Sequence, residues 1–328
     1  MARRSTRDLW RTQNFLQDTR LITRLVHLAD IRRADVVYDL GAGTGSLTAA
    51  LARRARRVVA IELDHALATR LRSRFKDVAN VDVHAADLLT YPFPRSDYVV
   101  FASPPFDITT TLIDRLTSSS VPPRDAYLVL QREAARRFAG RPRMTLAALL
   151  IAPWFTLRTL HRFQRSDFNP APSVDAVFVR LHKRGPPLVP DSQSQLYRDF
   201  VVALFTAWRP TVANALALNI GQRTAARLIS AARVEPGSMP TRTGFAEWLR
   251  LYRTFASTPV EIRRCVAGAE GRLRRQQRGL QKVHSTRVPR DALHELERRD
   301  HLRRERQRDR DVSRWSGACA LLVWIRRG

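Results

Sequence analysis

Four short apolar runs, each broken off by an acidic or polar residue, recur between residues 36 and 106 and leave few choices of fold. The first, Val36-Val37-Tyr38-Asp39-Leu40, leads straight into Gly41-Ala42-Gly43-Thr44-Gly45, and a helical pattern follows from Ser46 to Arg54. A strand, a tight turn and a helix start, in that order, let backbone approach an adenosine-containing cofactor closely. Dinucleotides, nucleotides and S-adenosylmethionine are all served by those three pieces, so the turn alone leaves the chemistry open.

Spacing narrows the choice. Phosphate-binding turns carry glycines as G-x-G-x-x-G or close on a Lys-Ser or Lys-Thr pair. Here Gly41, Gly43 and Gly45 alternate, Asp39 stands two residues before the first, and no such pair follows, which disfavours a phosphate cradle. The second run, Val58 to Asp64, places Glu62 where a carboxylate can accept both hydroxyls of a ribose. The third, Val81 to Asp87, places Asp87 to accept from the exocyclic amine of an adenine. Three acids at the carboxyl ends of three successive strands suit an adenosine that lacks phosphate.

The fourth run, Tyr98-Val99-Val100-Phe101-Ala102, stops in Ser103-Pro104-Pro105-Phe106. It resembles the fourth strand of class I methyltransferases acting on base amino groups, which ends in Asn or Asp, any residue, Pro, and Tyr or Phe. Gln13-Asn14-Phe15-Leu16 is similar to the Q-N-F-L segment of the ribosomal RNA adenine-N6 methyltransferases. Phe168-Asn169-Pro170-Ala171-Pro172-Ser173-Val174-Asp175 resembles their F-x-P-x-P-x-V-D-S segment, with Ala176 in place of the final Ser. Together these motifs cover residues 11 to about 180. The V-D form of the last motif, a short first domain and an Arg-rich carboxyl tail resemble the Erm branch. Those enzymes modify one adenine of 23S rRNA and confer macrolide, lincosamide and streptogramin B resistance. The other branch is the small-subunit rRNA dimethylases.

The resemblance implies an α/β class I (Rossmann-like) methyltransferase fold with a mostly parallel seven-stranded sheet, a small all-α C-terminal domain and a basic tail. It implies S-adenosyl-L-methionine as cofactor, bound by Asn14, Leu16, Gly41, Gly43, Glu62, Asp87 and Ser103, with Gly41 leaving room for the methionine portion. Roles toward the target adenine fall to Ser103, the Pro104 carbonyl, Phe106 and Phe168. Phe168 is either a second stacking face, on a loop stiffened by Pro170 and Pro172, or a core aromatic. Ser103 and Phe106 depart from the usual Asn and Tyr. A serine hydroxyl still accepts a hydrogen bond and phenylalanine keeps the stacking face. The shorter reach of serine points to slower transfer or to a single methyl, and leaves open a third reading, a catalytically weakened rRNA-binding or ribosome-assembly factor.

Composition bears on partners. The 328 residues carry 57 Lys and Arg against 30 Asp and Glu, a net charge of +27, far beyond what solubility requires. A polyanion is the natural partner, and 23S rRNA the expected one. Lysine occurs only at Lys76, Lys183 and Lys282, so the charge is almost all arginine, through RNA contacts, GC-rich coding or both. Cys265 and Cys319 have no His or Cys at metal-binding spacing, so no metal is expected. Met1-Ala2-Arg3-Arg4 leads into charged sequence without an apolar core, and the apolar end from Ala318 to Ile325 is far short of a membrane span. The expectation is a cytoplasmic monomer.

Along the chain, Thr12 to Ala29 has helical spacing, and alternating strands and helices run from Val36 to about Lys183. Residues 1–184 are expected to form the cofactor-binding catalytic domain, with Gly185-Pro186-Pro187 as link. Residues 185–268 read as a helical RNA-binding domain forming one wall of an RNA cleft, and 269–328 as an Arg-rich tail too polar for a core of its own, disordered or helical only on RNA.

Overall fold

The computed structural model describes residues 15–16 and 18–285. Its centre is a seven-stranded sheet of β2 (Val36–Leu40), β3 (Arg57–Glu62), β4 (Val81–Ala85), β5 (Val99–Ala102), β6 (Asp125–Gln131), β7 (Phe155–Arg162) and β9 (Ala176–Lys183). Their order is β4-β3-β2-β5-β6-β9-β7, parallel through β6, with β9 antiparallel to both neighbours. The sheet is the mostly parallel, Rossmann-like one the motifs imply.

The central strands read as unbroken apolar runs because both faces are covered. On one face Leu40, Ile61, Val100, Leu128 and Val179 pack with Leu112, Ile113 and Leu116 of α4 (Thr109–Thr117) and Phe138 of α5 (Arg132–Phe138). On the other, Val37, Val58, Val99, Tyr127 and Phe178 meet α1 (Thr19–Leu28) and α2 (Ser46–Ala52). Phe101 stacks on Phe178 there, with ring centroids 5.2 Å apart. The third connecting helix, α3 (His65–Arg74), follows β3 and is capped by the Asp64 carboxylate, which accepts from the N–H groups of Ala66 and Leu67.

The start of the chain corrects the expectation of one helix from Thr12. Phe15–Leu16 is extended (β1) and pairs antiparallel with β8 (Phe168–Asn169), Phe15 opposite Asn169 and Leu16 opposite Phe168. The helix begins only at Thr19, where Asp18 caps it by accepting from Arg20 N–H at 2.7 Å, a contact that contributes about 1 kcal/mol. The two motifs flanking the catalytic segment therefore hydrogen-bond to each other across some 150 residues, a contact that helical periodicity cannot report.

Among the described residues six α-helices follow the sheet: α7 (Ser194–Phe205), α8 (Val212–Ile220), α9 (Gln222–Ala231), α10 (Phe245–Ala256), α11 (Val260–Arg264) and α12 (Ala269–Ser285). Their core gathers Tyr197, Phe200, Trp248, Tyr252 and Phe255, the rings of Phe200 and Phe255 lying 4.7 Å apart. The two halves are not cleanly divided at Gly185-Pro186. Leu149 of α6 (Leu146–Ile151), upstream of the link, is buried in the helical core, and its carbonyl accepts from the Tyr197 hydroxyl at 2.9 Å. Ile151 of the same helix belongs to the sheet core.

The tail expectation also needs correction. The chain does not lose structure at 269: α12 runs to Ser285, and its start is built into the fold. The Asp199 carboxylate on α7 accepts from the N–H groups of Gly268 (3.0 Å) and Glu270 (2.9 Å). Buried Glu270 in turn takes Arg198 and Arg274. Composition misses this because the contacts come from a distant segment: Asp199 on α7 and the helical core that buries Val266. Residues 286–328, the rest of that stretch, lie outside the described residues.

Candidate active site at the switch point of the sheet

The chain runs outward from β2 to β3 to β4, then returns to the other side of β2 for β5 and β6. In open α/β sheets ligands bind at such a reversal, outside the carboxyl ends of the strands. The register puts Leu40 beside both Ile61 and Ala102, and Glu62 beside Ala85. The segments that follow, Gly41 to Gly45, Glu62 itself, Ala86-Asp87 and Ser103 to Phe106, are thus collected at one edge.

All three glycines of the turn have positive φ: 82° at Gly41, 56° at Gly43 and 81° at Gly45. Gly45 is doubly constrained, since a Cβ there would stand 2.6 Å from Leu71 Cδ2 and 2.9 Å from Phe75 Cε2. The third glycine is there to let α2 and α3 close up, a packing role distinct from ligand contact. Gly41 and Ala42 N–H groups both donate to the Ile61 carbonyl, binding the turn to β3.

Glu62 is 2% exposed, and each of its oxygens takes a backbone proton, Oε2 from Gly43 N–H at 2.8 Å and Oε1 from Asp64 N–H at 2.9 Å. It locks the glycine turn to the end of β3 and has lone pairs to spare. Asp87 Oδ1 accepts from Leu89 N–H at 2.8 Å, which closes a turn carrying Leu88 to within 3.8 Å of a Cβ built on Gly41. Arg115 on α4 holds that turn from behind, donating to the carbonyls of Leu88 and Tyr91 while its guanidinium lies 4.2 Å from the Phe93 ring centroid. Neither Asp39 nor Arg115 stands among the residues assigned from the motifs. Arg115 had no sequence signal at all, because its partners are carbonyls.

Asp39 is the most informative side chain at this edge. It is 1% exposed; Oδ2 accepts from Thr48 Oγ1 at 2.6 Å, and Oδ1 has no partner among the described residues. Burial pushes its carboxyl up to about 7 from an ordinary 3.8, the Thr48 hydrogen bond works against the rise, and the charge of Glu62 adds to it. A buried acid poised between charged and neutral, with one free oxygen, suits a ligand bearing a cation. In the sequence Asp39 is one of three strand-end acids, and nothing there sets it apart from Glu62 and Asp87.

Ser103 and Phe106 are half-buried, Pro104 is buried, and Phe106 opens a 3₁₀ turn (Phe106–Ile108) that runs into α4. The Ser103 hydroxyl makes no hydrogen bond among the described residues. Phe106 packs in part against the α1-side core.

Comparison with known proteins fixes the class. The profile for ribosomal RNA adenine dimethylases matches residues 9–257. The chain belongs to that family. It is 32% identical over 262 residues to the mycinamicin-resistance protein MyrB of Micromonospora griseorubida, covering 79% of this chain and 83% of that one. To ribosomal RNA small subunit methyltransferase A of Bacillus cereus it is 31% identical over 263 residues, covering 76% and 89%. Its fold is similar to the crystal structure of the 23S rRNA methyltransferase ErmE, with a TM-score of 0.68, 29% identity, and coverage of 74% of this chain and 100% of that one. The chain is accordingly an rRNA adenine methyltransferase that uses S-adenosylmethionine. The glycine turn, the ring of acids and the unpartnered Asp39 oxygen fit a cationic, phosphate-free adenosine cofactor.

Two family motifs look different in three dimensions. Phe168 is 5% exposed and sits in the α1-side core, its ring centroid 5.0 Å from that of Phe163. Of its two readings, this burial suits the core aromatic. Leu16 is half-buried against the same core. Asn14 lies outside the described residues. Among the described residues no cluster of His, Cys, Asp and Glu could hold a metal ion, and no helix is long and apolar enough to cross a membrane.

Proposed function

We propose that the chain methylates N6 of an adenine in 23S rRNA and thereby confers resistance to macrolide, lincosamide and streptogramin B antibiotics. The observation that carries this reading is the likeness to MyrB and ErmE over most of the chain, joined to the glycine turn and acids gathered at the sheet's edge. Identity with the small-subunit enzyme is nearly as high, so the RNA itself must decide. Expression in a macrolide-sensitive host, followed by mapping of methylated adenines and a susceptibility test, is expected to show new methylation in 23S rRNA and raised resistance. Methylation confined to small-subunit RNA assigns the chain to the other branch. No new methyl group with intact ribosome binding assigns it a binding role, the outcome that Ser103 in place of Asn would favour.

Bound S-adenosylmethionine supplies an electrophilic methyl group. The adenine N6 lone pair is delocalised into the ring and must be localised to attack it. Ser103 and the Pro104 carbonyl, aligned at the end of β5, accept the two N6 hydrogens, and Phe106 offers a stacking face. No general base is required, because the methylated amine sheds its proton to water. The protein's contribution is alignment and exclusion of water. An unpaired adenine enters at least cost, since it has no stack or pair to leave. On the cofactor side Glu62 takes the ribose hydroxyls, Asp87 takes the adenine amine, Gly41 and Gly43 give room, and Asp39 faces the cationic methionine end.

The Asp39 role has a pH signature. The folded carboxyl keeps its proton to about pH 7, whereas the unfolded one gives it up near 3.8, so the cofactor-free protein loses stability as pH rises through that window. A cation beside Asp39 favours its charged form. Affinity for S-adenosylhomocysteine, followed calorimetrically, is expected to rise between pH 6 and pH 8 with release of a proton. Asp39→Asn is expected to bind weakly and without that slope; an unchanged slope in the variant would assign the proton to another group.

A further inference from the structure

Trp208 is the most exposed large apolar side chain among the described residues, at 69%. It stands in the turn between α7 and α8 with φ of 54°, a left-handed backbone that bulky side chains rarely adopt. An exposed apolar side chain taken singly needs no explanation. An indole held outward by an unfavourable backbone, beside exposed Arg209, does.

Contacts connect this turn to the active site. Val212 N–H donates to the Ser238 carbonyl at 2.9 Å, which brings the Trp208 turn to the loop 238–244. Thr241 in that loop accepts from Met144 N–H at 2.8 Å, across the seam between the helical and catalytic halves. Thr145 Oγ1 next door donates to the Arg137 carbonyl, and Arg137 Nη2 donates to Thr110, four residues beyond Phe106. At the seam a groove of about 370 Å³ is lined by Arg143, Arg242, Pro142 and Thr241 among others. Arg141, Arg143, Arg209 and Arg242 are exposed and form no ion pair among the described residues. Exposed arginines at the seam groove, with an exposed indole and Arg209 on the turn that borders its loop, combine the cations that hold a nucleic-acid backbone with a ring on which a base can stack.

We infer that Trp208 is a stacking platform for an unpaired base of the rRNA substrate, at the far end of a phosphate track laid along the seam by Arg143, Arg242 and Arg209. The inference rests on the chain's being an rRNA methyltransferase and adds to it a second point at which single-stranded RNA is gripped. Stacking tolerates any base, so the platform supplies affinity and register while the catalytic pocket selects the adenine.

The test uses the full-length chain and two labelled RNAs of equal length, a hairpin with an unpaired adenine-containing loop and a continuous duplex. Trp208→Ala is expected to weaken hairpin binding by on the order of tenfold. Its duplex binding, S-adenosylhomocysteine affinity and salt slope should match the parent, and Trp208→Phe should retain most of the hairpin affinity. Arg242→Ala should instead lower the salt slope by about one. Hairpin affinity unchanged in Trp208→Ala, or hairpin and duplex weakened alike, overturns the inference. So does a Trp208-dependent dimer in gel filtration, which would make the indole a self-association contact. A parent protein that binds the hairpin through Trp208 yet methylates no rRNA would sink the enzyme reading and leave the platform standing.

Discussion

Ser103→Ala is expected to lower methyl-transfer turnover, measured at saturating S-adenosylmethionine, by on the order of a hundredfold. The hydroxyl is free of partners among the described residues, so its removal leaves no buried donor stranded and the fold unchanged. What is lost is one of two acceptors that orient N6, and misplacement of a reacting atom by about 1 Å can cost a factor of that size. Ser103→Asn restores the longer amide reach and is expected to raise turnover above the parent and to shift product from mono- toward dimethyladenine, read by mass spectrometry of digested RNA. A Ser103→Ala enzyme as fast as the parent would place alignment with the Pro104 carbonyl and Phe106 alone.

Glu62→Ala is expected to reduce cofactor affinity by more than a hundredfold and to lower the melting temperature as well. Both effects come from the same oxygens. Each now satisfies a buried N–H, of Gly43 and of Asp64, and an orphaned buried donor costs about 1–3 kcal/mol. The loss of stability should therefore be about 2–6 kcal/mol, enough to shift a melting curve by many degrees. Glu62→Gln keeps one acceptor and should melt between the two. Both variants remove the negative charge that helps hold the Asp39 carboxyl near 7, so the pH midpoint of cofactor binding in Glu62→Gln should move to lower pH. An unmoved midpoint would show that burial alone sets the titration of Asp39.

Much of this was readable from the chain because strands buried on both faces write themselves as apolar runs, and each run's last residue marks a position at the sheet's edge. On that basis alone Gly41, Glu62, Asp87 and Ser103 fall together. What stayed hidden depends on contacts between distant segments. Arg115 recognises two carbonyls, which any residue supplies. Asp39 is an acid like the others in the sequence, and only its burial and its orphaned oxygen set it apart. Phe168 reads equally well as a stacking ring or a core ring, and only its burial beside Phe163 favours the second. The helical half was evident from periodicity, yet Leu149 crosses into its core from the other side of a proline-rich link. Trp208 in sequence is one of six tryptophans; its exposure and its backbone single it out.

The pair of N–H groups held by Asp199 has a consequence for how genes of this kind can change length. Because Gly268 and Glu270 are fastened to α7, a stop at 268 strips both N–H partners from the buried Asp199 carboxylate. A gene shortened to that point therefore encodes a helical half that must hold a buried charge without its partners, and the folded unit ends past 270 rather than at the composition break before it.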